Sequence, residues 1–183
     1  APANPLNAGI VGGEFEGRPL DHLEVMGMYY VLWAGGLDTV YSTLGWIMQN
    51  LATHPILQDE LRAHPERIPD AIEEFARAFS VVCTHRSVVA DGDFYGAPLR
   101  VGDEIHLPIS LANRDPAMFA DPHTVDIARK PRHINFGTGP HTCLGIHLAK
   151  RELRTVVEEF LKRFTNIRIK PGEVPKYHTG RTF

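Results

Sequence analysis

The feature that most constrains the fold is a long, almost uncharged segment, residues 25–57, in which Asp38 is the only formally charged side chain. Asp21 and Glu24, directly before it, form a capping box with aspartate in the usual serine or threonine position, which predicts the start of a helix. Proline disfavours the helical conformation of the residue before it, so we expect the helix to end at Pro55. The sequence therefore predicts one helix of about 32 residues.

This helix is longer than a domain of the chain's own size. At a rise of about 1.5 Å per residue it extends roughly 48 Å, whereas a compact domain of 183 residues has a diameter of about 40 Å. Apolar residues also surround most of its circumference, so more protein is needed to cover them. We therefore expect the chain to be one part of a larger, truncated fold, with exposed apolar surface that favours association.

An uncharged segment of this length could also span a bilayer, but its polar residues argue against it. Two glycines and Asp38 lie at its middle, and Gln49, Asn50 and His54 follow. Because a carboxylate at the centre of a bilayer is costly, we expect a buried core helix and no membrane partner.

The composition argues against several classes of function. The net charge is −3 and no dense basic tract occurs, so we expect no nucleic-acid partner. The two cysteines, Cys83 and Cys143, form no C-x-x-C pair and do not suggest a disulfide framework, which favours a reducing, cytoplasmic setting. The first residues have neither the basic nor the apolar region of a signal peptide.

The remaining segments are short, and the whole pattern predicts a mostly α-helical fold with small β elements in a single partial domain, residues 1–183. Helical periodicity predicts three further helices, and alternating patterns with glycine turns predict the β elements. The predicted helices are 55–63, 69–79 and 144–164; the others are a hairpin at 10–20, strands at 88–90 and 99–107 around a turn at 92–96, and coil over 112–135.

One cysteine, Cys143, stands in a glycine-rich loop with the sequence FGTGPHTCLG, directly before the last predicted helix. A thiolate there faces the positive end of the helix macrodipole and nearby backbone N–H groups, which makes it a good metal ligand. Gly139 and Gly145 suit a backbone that must approach a flat, rigid group closely. The alternative for a lone cysteine is a small buried apolar residue.

This loop resembles the heme-ligand loop of the cytochrome P-450 family of heme-thiolate monooxygenases, Phe-x-x-Gly-x-x-x-Cys-x-Gly. Every fixed position is filled, by Phe136, Gly139, Cys143 and Gly145. The resemblance implies the C-terminal half of the family's fold and a heme b whose iron is ligated by Cys143. An axial thiolate favours heterolytic cleavage of the O–O bond.

Glu74 and Arg77 place opposite charges on one helix face, next to Phe75 and Phe79. Most pairs at this spacing are surface salt bridges of little energetic weight. The apolar neighbours and the position before the cysteine loop are similar to the family's buried Glu-x-x-Arg pair, which Arg129 would join. The resemblance implies a structural role, in which this network positions the loop.

A second match is the string AGGLDT over residues 34–39. The Thr39 hydroxyl, four residues after Gly35, can bond the Gly35 carbonyl and locally open the helix, and adjacent glycines leave room for a ligand. The alternative is a packing notch beside a helix-bending threonine. In the family this groove lies over the heme, and the resemblance implies that Thr39 handles dioxygen while Asp38 relays the protons needed to split it.

Further positions correspond to family sites by resemblance, and the coil string ANRDP over residues 112–116 also follows the family pattern. Arg86 and His141 correspond to cations that pair with the heme propionates, for which the planar fork of arginine is well suited. Val31, Ala34 and Val82 correspond to positions that line the substrate pocket.

The histidines near the cysteine raise the alternative of a zinc site. His133, His141 and His147 are close to Cys143 in the sequence, and both residue types are zinc ligands. None of these pairs has the close C-x-x-C or H-x-x-x-H spacing typical of such sites. Heme therefore explains the pattern better.

The glycine pair and the loop ending in HTCLG are most similar to soluble bacterial members of the camphor-hydroxylase type. The resemblance implies insertion of one oxygen atom of O2 into a small apolar substrate, with electrons from a ferredoxin-type donor. Lys130, Lys150 and Arg151 could form a basic patch for that donor or be ordinary solvated residues. The alternative is a truncated, non-catalytic helical module, with or without heme. For both the monooxygenase and the non-catalytic module, the expected partner is the missing N-terminal half or a second copy of the chain.

Overall fold

The computed structural model of the chain describes residues 4–177. The chain divides into two compact units, residues 1–38 and 39–183, with the boundary inside one long helix. Within the described range the elements are mostly helices, accompanied by small two-stranded sheets. This composition confirms the predicted fold class.

The first unit begins with helix α1 (Pro5–Val11), which the sequence pattern does not predict. The Asn4 side chain accepts a hydrogen bond from the N–H of Asn7 (2.8 Å), and proline in the first turn has no N–H to leave unsatisfied. The helix buries Ile10. The prediction of a hairpin is therefore wrong for residues 10–11. The helix start signals, Asn4 and Pro5, lie upstream of the glycines on which the hairpin prediction depends.

A hairpin of two very short strands follows α1. Strand β1 (Glu14–Phe15) pairs antiparallel with β2 (Arg18–Pro19), so the predicted hairpin is confirmed for residues 14–19. Positive φ angles at Glu16 (50°) and Gly17 (77°) form its turn.

Helix α2 (His22–Thr53) confirms the long predicted helix almost to the residue. In the capping box, the N–H of Glu24 donates to Asp21 Oδ1 (2.9 Å) and the N–H of Asp21 donates to Glu24 Oε2 (2.8 Å). The Arg18 guanidinium bonds the same carboxylate and, together with the Asp21 N–H, lowers the pKa of Glu24 to about 2. The start of α2 is thus defined by local interactions.

The core of the second unit forms where helices α3 (Pro55–Ala63), α4 (Ile68–Ala78) and α6 (Ile146–Arg163) pack with the C-terminal part of α2. A turn of 3-10 helix, residues 65–67, joins α3 to α4. Each helix contributes apolar side chains at helical spacing. The buried cluster is Ile47, Leu51, Leu61, Ile68, Ala71, Ile72, Phe75, Ile127, Leu153, Val157 and Leu161.

Along the chain, the β region follows α4 and precedes α6. Strand β3 (Cys83–Ser87) pairs antiparallel with β6 (Glu104–Pro108), and the hairpin of β4 (Gly92–Phe94) and β5 (Ala97–Leu99) lies between them. The predicted strand at 88–90 is wrong, because the long-range pairing selects the polar string CTHRS instead. The turn is also narrower than predicted: it consists of Tyr95 and Gly96, both with positive φ (52° and 85°).

An ordered coil connects the β region to the cysteine loop. The short helix α5 (Ile109–Ala112) precedes this coil. A 3-10 turn at residues 139–141 lies within the cysteine loop that follows the coil. Helix α6 begins at Ile146, with Gly145 as its N-cap. The helix therefore starts a little later than predicted.

Candidate functional site

Glu74 and Arg77 form a fully buried ion pair on α4, with both side chains 0% exposed. Arg77 Nε donates to Glu74 Oε2 (2.8 Å) and Arg77 Nη2 donates to Glu74 Oε1 (2.7 Å). Arg129 Nε reaches the same Oε1 at 3.2 Å. The three residues singled out by the sequence pattern therefore meet, and the pair is not a surface salt bridge.

The remaining donors of Arg77 bond backbone carbonyls of the coil. Its Nη1 donates to Asn113 O and Pro122 O (both 2.9 Å), and its Nη2 donates to Thr124 O (3.1 Å). Arg129 donates to Ala120 O (2.6 Å). Because a buried charge is costly unless paired and hydrogen-bonded, this network ties the coil firmly to α4.

The cysteine loop is closed by backbone hydrogen bonds. The N–H of Cys143 donates to Phe136 O (2.8 Å), and the N–H of Thr142 donates to Gly139 O (3.1 Å). Gly137 and Gly139 have φ angles of 70° and 67°, a conformation that glycine adopts without strain. The loop thus has a tight geometry that needs glycine at both positions.

The thiol of Cys143 is free and exposed on this loop. Gly145 lies beside the sulfur: a Cβ added there would be 3.9 Å from the Cys143 sulfur, an ordinary van der Waals contact. A 3-10 turn lies within the loop before Cys143, and helix α6 follows the loop directly. The arrangement presents one soft ligand atom on a rigid, glycine-lined loop.

Phe136, at the start of the loop, is held by an ionic group of residues. Its ring centroid lies 5.9 Å from the His133 ring and 5.4 Å from Lys150 Nζ. Glu73 accepts from His133 Nε2 (3.2 Å) and pairs with Lys150 Nζ (2.8 Å). The hydrogen bond from His133, and then that from Lys150, lower the pKa of Glu73. Lys150 is therefore a paired residue and not a free member of a basic patch.

Arg86 and His141 lie near the ends of their elements. Arg86 lies exposed on β3 and donates to His85 O (2.7 Å), and His141 is exposed in the 3-10 turn. Within residues 4–177, neither side chain is paired with a carboxylate. Both are therefore available to an anionic group from outside the chain. Lys130 and Arg151 are exposed as well.

The predicted residues of α2 lie along one continuous helix. Val31, Gly35 and Asp38 are exposed and Ala34 is half-buried in the first unit; a Cβ added at Gly35 would meet no atom within 4 Å. Thr39, half-buried, opens the second unit. Residues 35–39 lie within the α-helical range of α2. In the second unit, Val82 is half-buried directly before β3.

The described part of the chain contains neither a metal-ligand cluster nor a candidate membrane span. No group of three or more His, Cys, Asp or Glu residues is arranged to hold a metal ion there. His133 is instead paired with Glu73. Among the helices within residues 4–177, none combines the length and the apolarity that crossing a bilayer requires.

Two buried polar residues are missing from the sequence-based expectations. Asn113 (1% exposed) and Gln58 (2% exposed) each bridge distant backbone segments. The only local signal for Asn113 is its place in the string ANRDP, and Gln58 has none. Both are recognisable only once the elements around them are placed.

Comparison with known proteins agrees with this geometry. The cytochrome P-450 family model matches residues 68–180. The probable cytochrome P-450 127A1 of Sinorhizobium fredii is 41% identical over 100% of this chain and 44% of its own length. The steroid C26-monooxygenase of Mycolicibacterium smegmatis is 36% identical over 92% of this chain and 42% of its own length. The crystal structure of cytochrome P-450 CYP101C1 superimposes with a TM-score of 0.86 at 36% identity, covering 92% of this chain and 44% of that chain.

The chain belongs to the cytochrome P-450 family, and the family predicted from the sequence is confirmed. It spans less than half the length of the relatives that it matches. Proteins of this family hold heme through an axial cysteine thiolate, and the donor set of the chain fits that group. It consists of an exposed, free thiol at Cys143 beside a glycine, and of Arg86 and His141, which have no carboxylate partner within residues 4–177.

Proposed function

We propose that this chain is the heme-thiolate part of a monooxygenase, with Cys143 as the axial ligand of heme b. The observation that carries the proposal is the exposed Cys143 thiol on a closed glycine loop. The buried Glu74 network fastens the coil that leads to this loop. When bound, the heme supplies the oxidation chemistry, and the protein supplies position and protons.

The other site residues have separate parts in the proposal. Arg86 and His141 bind the propionates, because guanidinium and imidazole N–H groups donate hydrogen bonds to carboxylates. Gly35 leaves space beside α2 for the cofactor and its small ligands. Thr39 holds dioxygen by its hydroxyl, and Asp38 moves protons between this site and solvent, which its exposure permits.

The proposed substrate is small and apolar, and the family resemblance makes Val31, Ala34 and Val82 the candidate residues for its binding. The proposed electron donor is a ferredoxin-type protein, and its docking surface includes the exposed cations Lys130 and Arg151. An acidic donor would be steered to such a surface in a salt-dependent manner. We place the protein in the cytoplasm.

The proposal treats residues 1–183 as one partial domain. In the first unit α2 leaves large apolar side chains more than half exposed, and a face of that kind is normally covered by protein. We propose that the rest of a domain of this family, or a second copy of the chain, covers it. The exposed side chains are Leu23, Met26, Tyr30, Val31, Trp33 and Leu37.

The same exposed face favours a second candidate function, a non-catalytic helical module that associates through it. Such a module would have no enclosed substrate pocket. Substrate-dependent oxidation with a ferredoxin-type donor separates the two candidates. Full heme loading without turnover would favour the module.

The test of heme ligation is the visible spectrum of the heme-loaded chain, reduced under carbon monoxide. We expect a strongly red-shifted Soret band, which Cys143→Ala abolishes without loss of helix content by circular dichroism. The matched control is Cys83→Ala, which removes the other thiol and should leave the band unchanged. A thiolate-type band retained in Cys143→Ala would refute the ligand assignment.

A further inference from the structure

Two consecutive backbone N–H groups just before the cysteine loop are both bonded to side chains. The N–H of Ile134 donates to Asn113 Oδ1 (3.0 Å), and the N–H of Asn135 donates to His133 Nδ1 (3.2 Å). Backbone donors in coil are more often satisfied by water or by other backbone groups. Two neighbouring N–H groups that both donate to side chains therefore indicate a segment whose backbone is held in one position by those side chains.

The first acceptor, Asn113, is itself fixed. It is 1% exposed, its Nδ2 donates to Ser80 Oγ (2.6 Å), and its carbonyl accepts from Arg77 Nη1 (2.9 Å). Ser80 Oγ in turn donates to the carbonyl of Ala76 (3.1 Å) at the end of α4. Asn113 thus connects Ile134 to the C-terminal end of α4 through bonds that leave its amide no other orientation.

The second acceptor, His133, is fixed on another part of α4. Because the Asn135 N–H donates to Nδ1, the ring hydrogen lies on Nε2, which donates to Glu73 Oε2 (3.2 Å). Glu73 is also held by Lys150 of α6 (2.8 Å). His133 thus connects Asn135 to the middle of α4 and, through Glu73, to α6.

These two anchors lie directly upstream of the bond that closes the loop. The residue after Asn135 is Phe136, whose carbonyl accepts the Cys143 N–H at 2.8 Å. The Ile134 carbonyl accepts the Gly137 N–H at 2.9 Å. A shift of the Ile134–Asn135 backbone would therefore move Phe136 and, with it, Cys143.

We propose that Asn113 and His133 are positioning residues for the Cys143 sulfur. They place the start of the cysteine loop on α4 from two sides. Asn113 is also joined to the Glu74–Arg77–Arg129 network, because its carbonyl accepts from Arg77 Nη1. The part of this inference that concerns heme rests on the function proposed above. The part that concerns the loop does not.

The first test needs no heme. In amide hydrogen exchange of the 183-residue chain, we expect His133→Phe to speed exchange at Asn135 about tenfold, as for loss of an ordinary hydrogen bond. His133→Asn should restore slow exchange, because its Oδ1 can take the place of Nδ1. Asn113→Ala should speed exchange at Ile134 instead. Unchanged exchange at Asn135 in His133→Phe would overturn the inference.

The second test reads the sulfur position through the heme-loaded chain, reduced under carbon monoxide. In His133→Phe, we expect the red-shifted Soret band to be weaker and an unshifted band to appear. In His133→Asn, we expect the red-shifted band to regain its intensity. His64→Phe is the matched control, because it removes an exposed His–Glu contact of similar length (3.1 Å). A full red-shifted band in both His133→Phe and Asn113→Ala would overturn the positioning role. If the unaltered chain shows no red-shifted band, heme ligation fails, and amide exchange still decides the anchoring.

Discussion

Removing the negative charge of Glu74 while keeping its shape should strongly destabilise the second unit. In Glu74→Gln the buried Arg77 guanidinium, 0% exposed, keeps its charge without a counter-charge. An uncompensated buried partner typically costs about 3–5 kcal/mol. The total free energy of unfolding of a domain is about 5–15 kcal/mol, so this one substitution should remove a large fraction of it.

The atoms at this site explain why glutamine does not compensate. Glu74 Oε1 accepts from Arg77 Nη2, Arg129 Nε and the N–H of Asp126 (3.0 Å), whereas Oε2 accepts from Arg77 Nε. The glutamine carbonyl can replace one oxygen. Its NH2 group then faces the donor that the other oxygen served, and at least one buried donor of Arg77 or Arg129 stays unpaired.

The assay is urea unfolding followed by circular dichroism, arranged as a double-mutant cycle with Arg77→Met. We expect each single substitution to cost about 3–5 kcal/mol and the double substitution to cost clearly less than their sum, because it leaves no lone charge. Glu159→Gln, which breaks the exposed pair with Arg163, is the control and should give no resolvable change. A loss below about 1 kcal/mol in Glu74→Gln, as for a surface pair, or strict additivity, would refute the reasoning.

Three further predictions test other parts of the structure. The pKa of Glu73 is lowered, so the stabilisation by its carboxylate is present above the ordinary pKa of 4.5 and is lost as the pH falls through the lowered pKa. Glu73→Gln should lower the free energy of unfolding by about 0.5–1 kcal/mol at neutral pH, and in urea titrations the difference from the unaltered chain should become smaller as the pH is lowered. Gln58→Leu leaves the half-buried N–H and carbonyl of Ile167 without this side-chain partner and should cost about 1–2 kcal/mol in the same assay; no loss would contradict the bridging role. Gly35→Ala adds a Cβ in open space and should raise stability by about 0.5–1 kcal/mol while weakening heme binding, and unchanged heme binding would contradict the proposed groove.

The elements that could be predicted are those whose signals are local. Asp21 and Glu24 start α2, Pro55 follows its end, and the observed bounds agree with the prediction. Strand β3 could not be predicted, because its string of polar residues has no strand period. Its existence depends on pairing with β6, whose residues lie well beyond the intervening hairpin.

The same division applies to the candidate site. Glu74 and Arg77 stand out because apolar residues flank a short-range pair, and Arg129 enters through the family resemblance. Asn113 sits in a coil rich in proline, aspartate and asparagine, where such residues usually form turns. Its burial follows from contacts with Ser80 and Ile134, which neither composition nor spacing indicates.

The packing of α4 against α6 has a kinetic consequence for the cysteine loop. Residues 79–145 separate the two helices in the chain, and closing a loop of about 70 residues costs roughly 4 kcal/mol in chain entropy. The β4–β5 hairpin can form within microseconds, but contacts between distant segments must await this closure. Because synthesis proceeds from the N-terminus, no ribosome-bound chain can complete the α4–α6 contact before α6 has emerged. The support that Lys150 of α6 gives to Glu73, beside the cysteine loop, is therefore acquired late in folding.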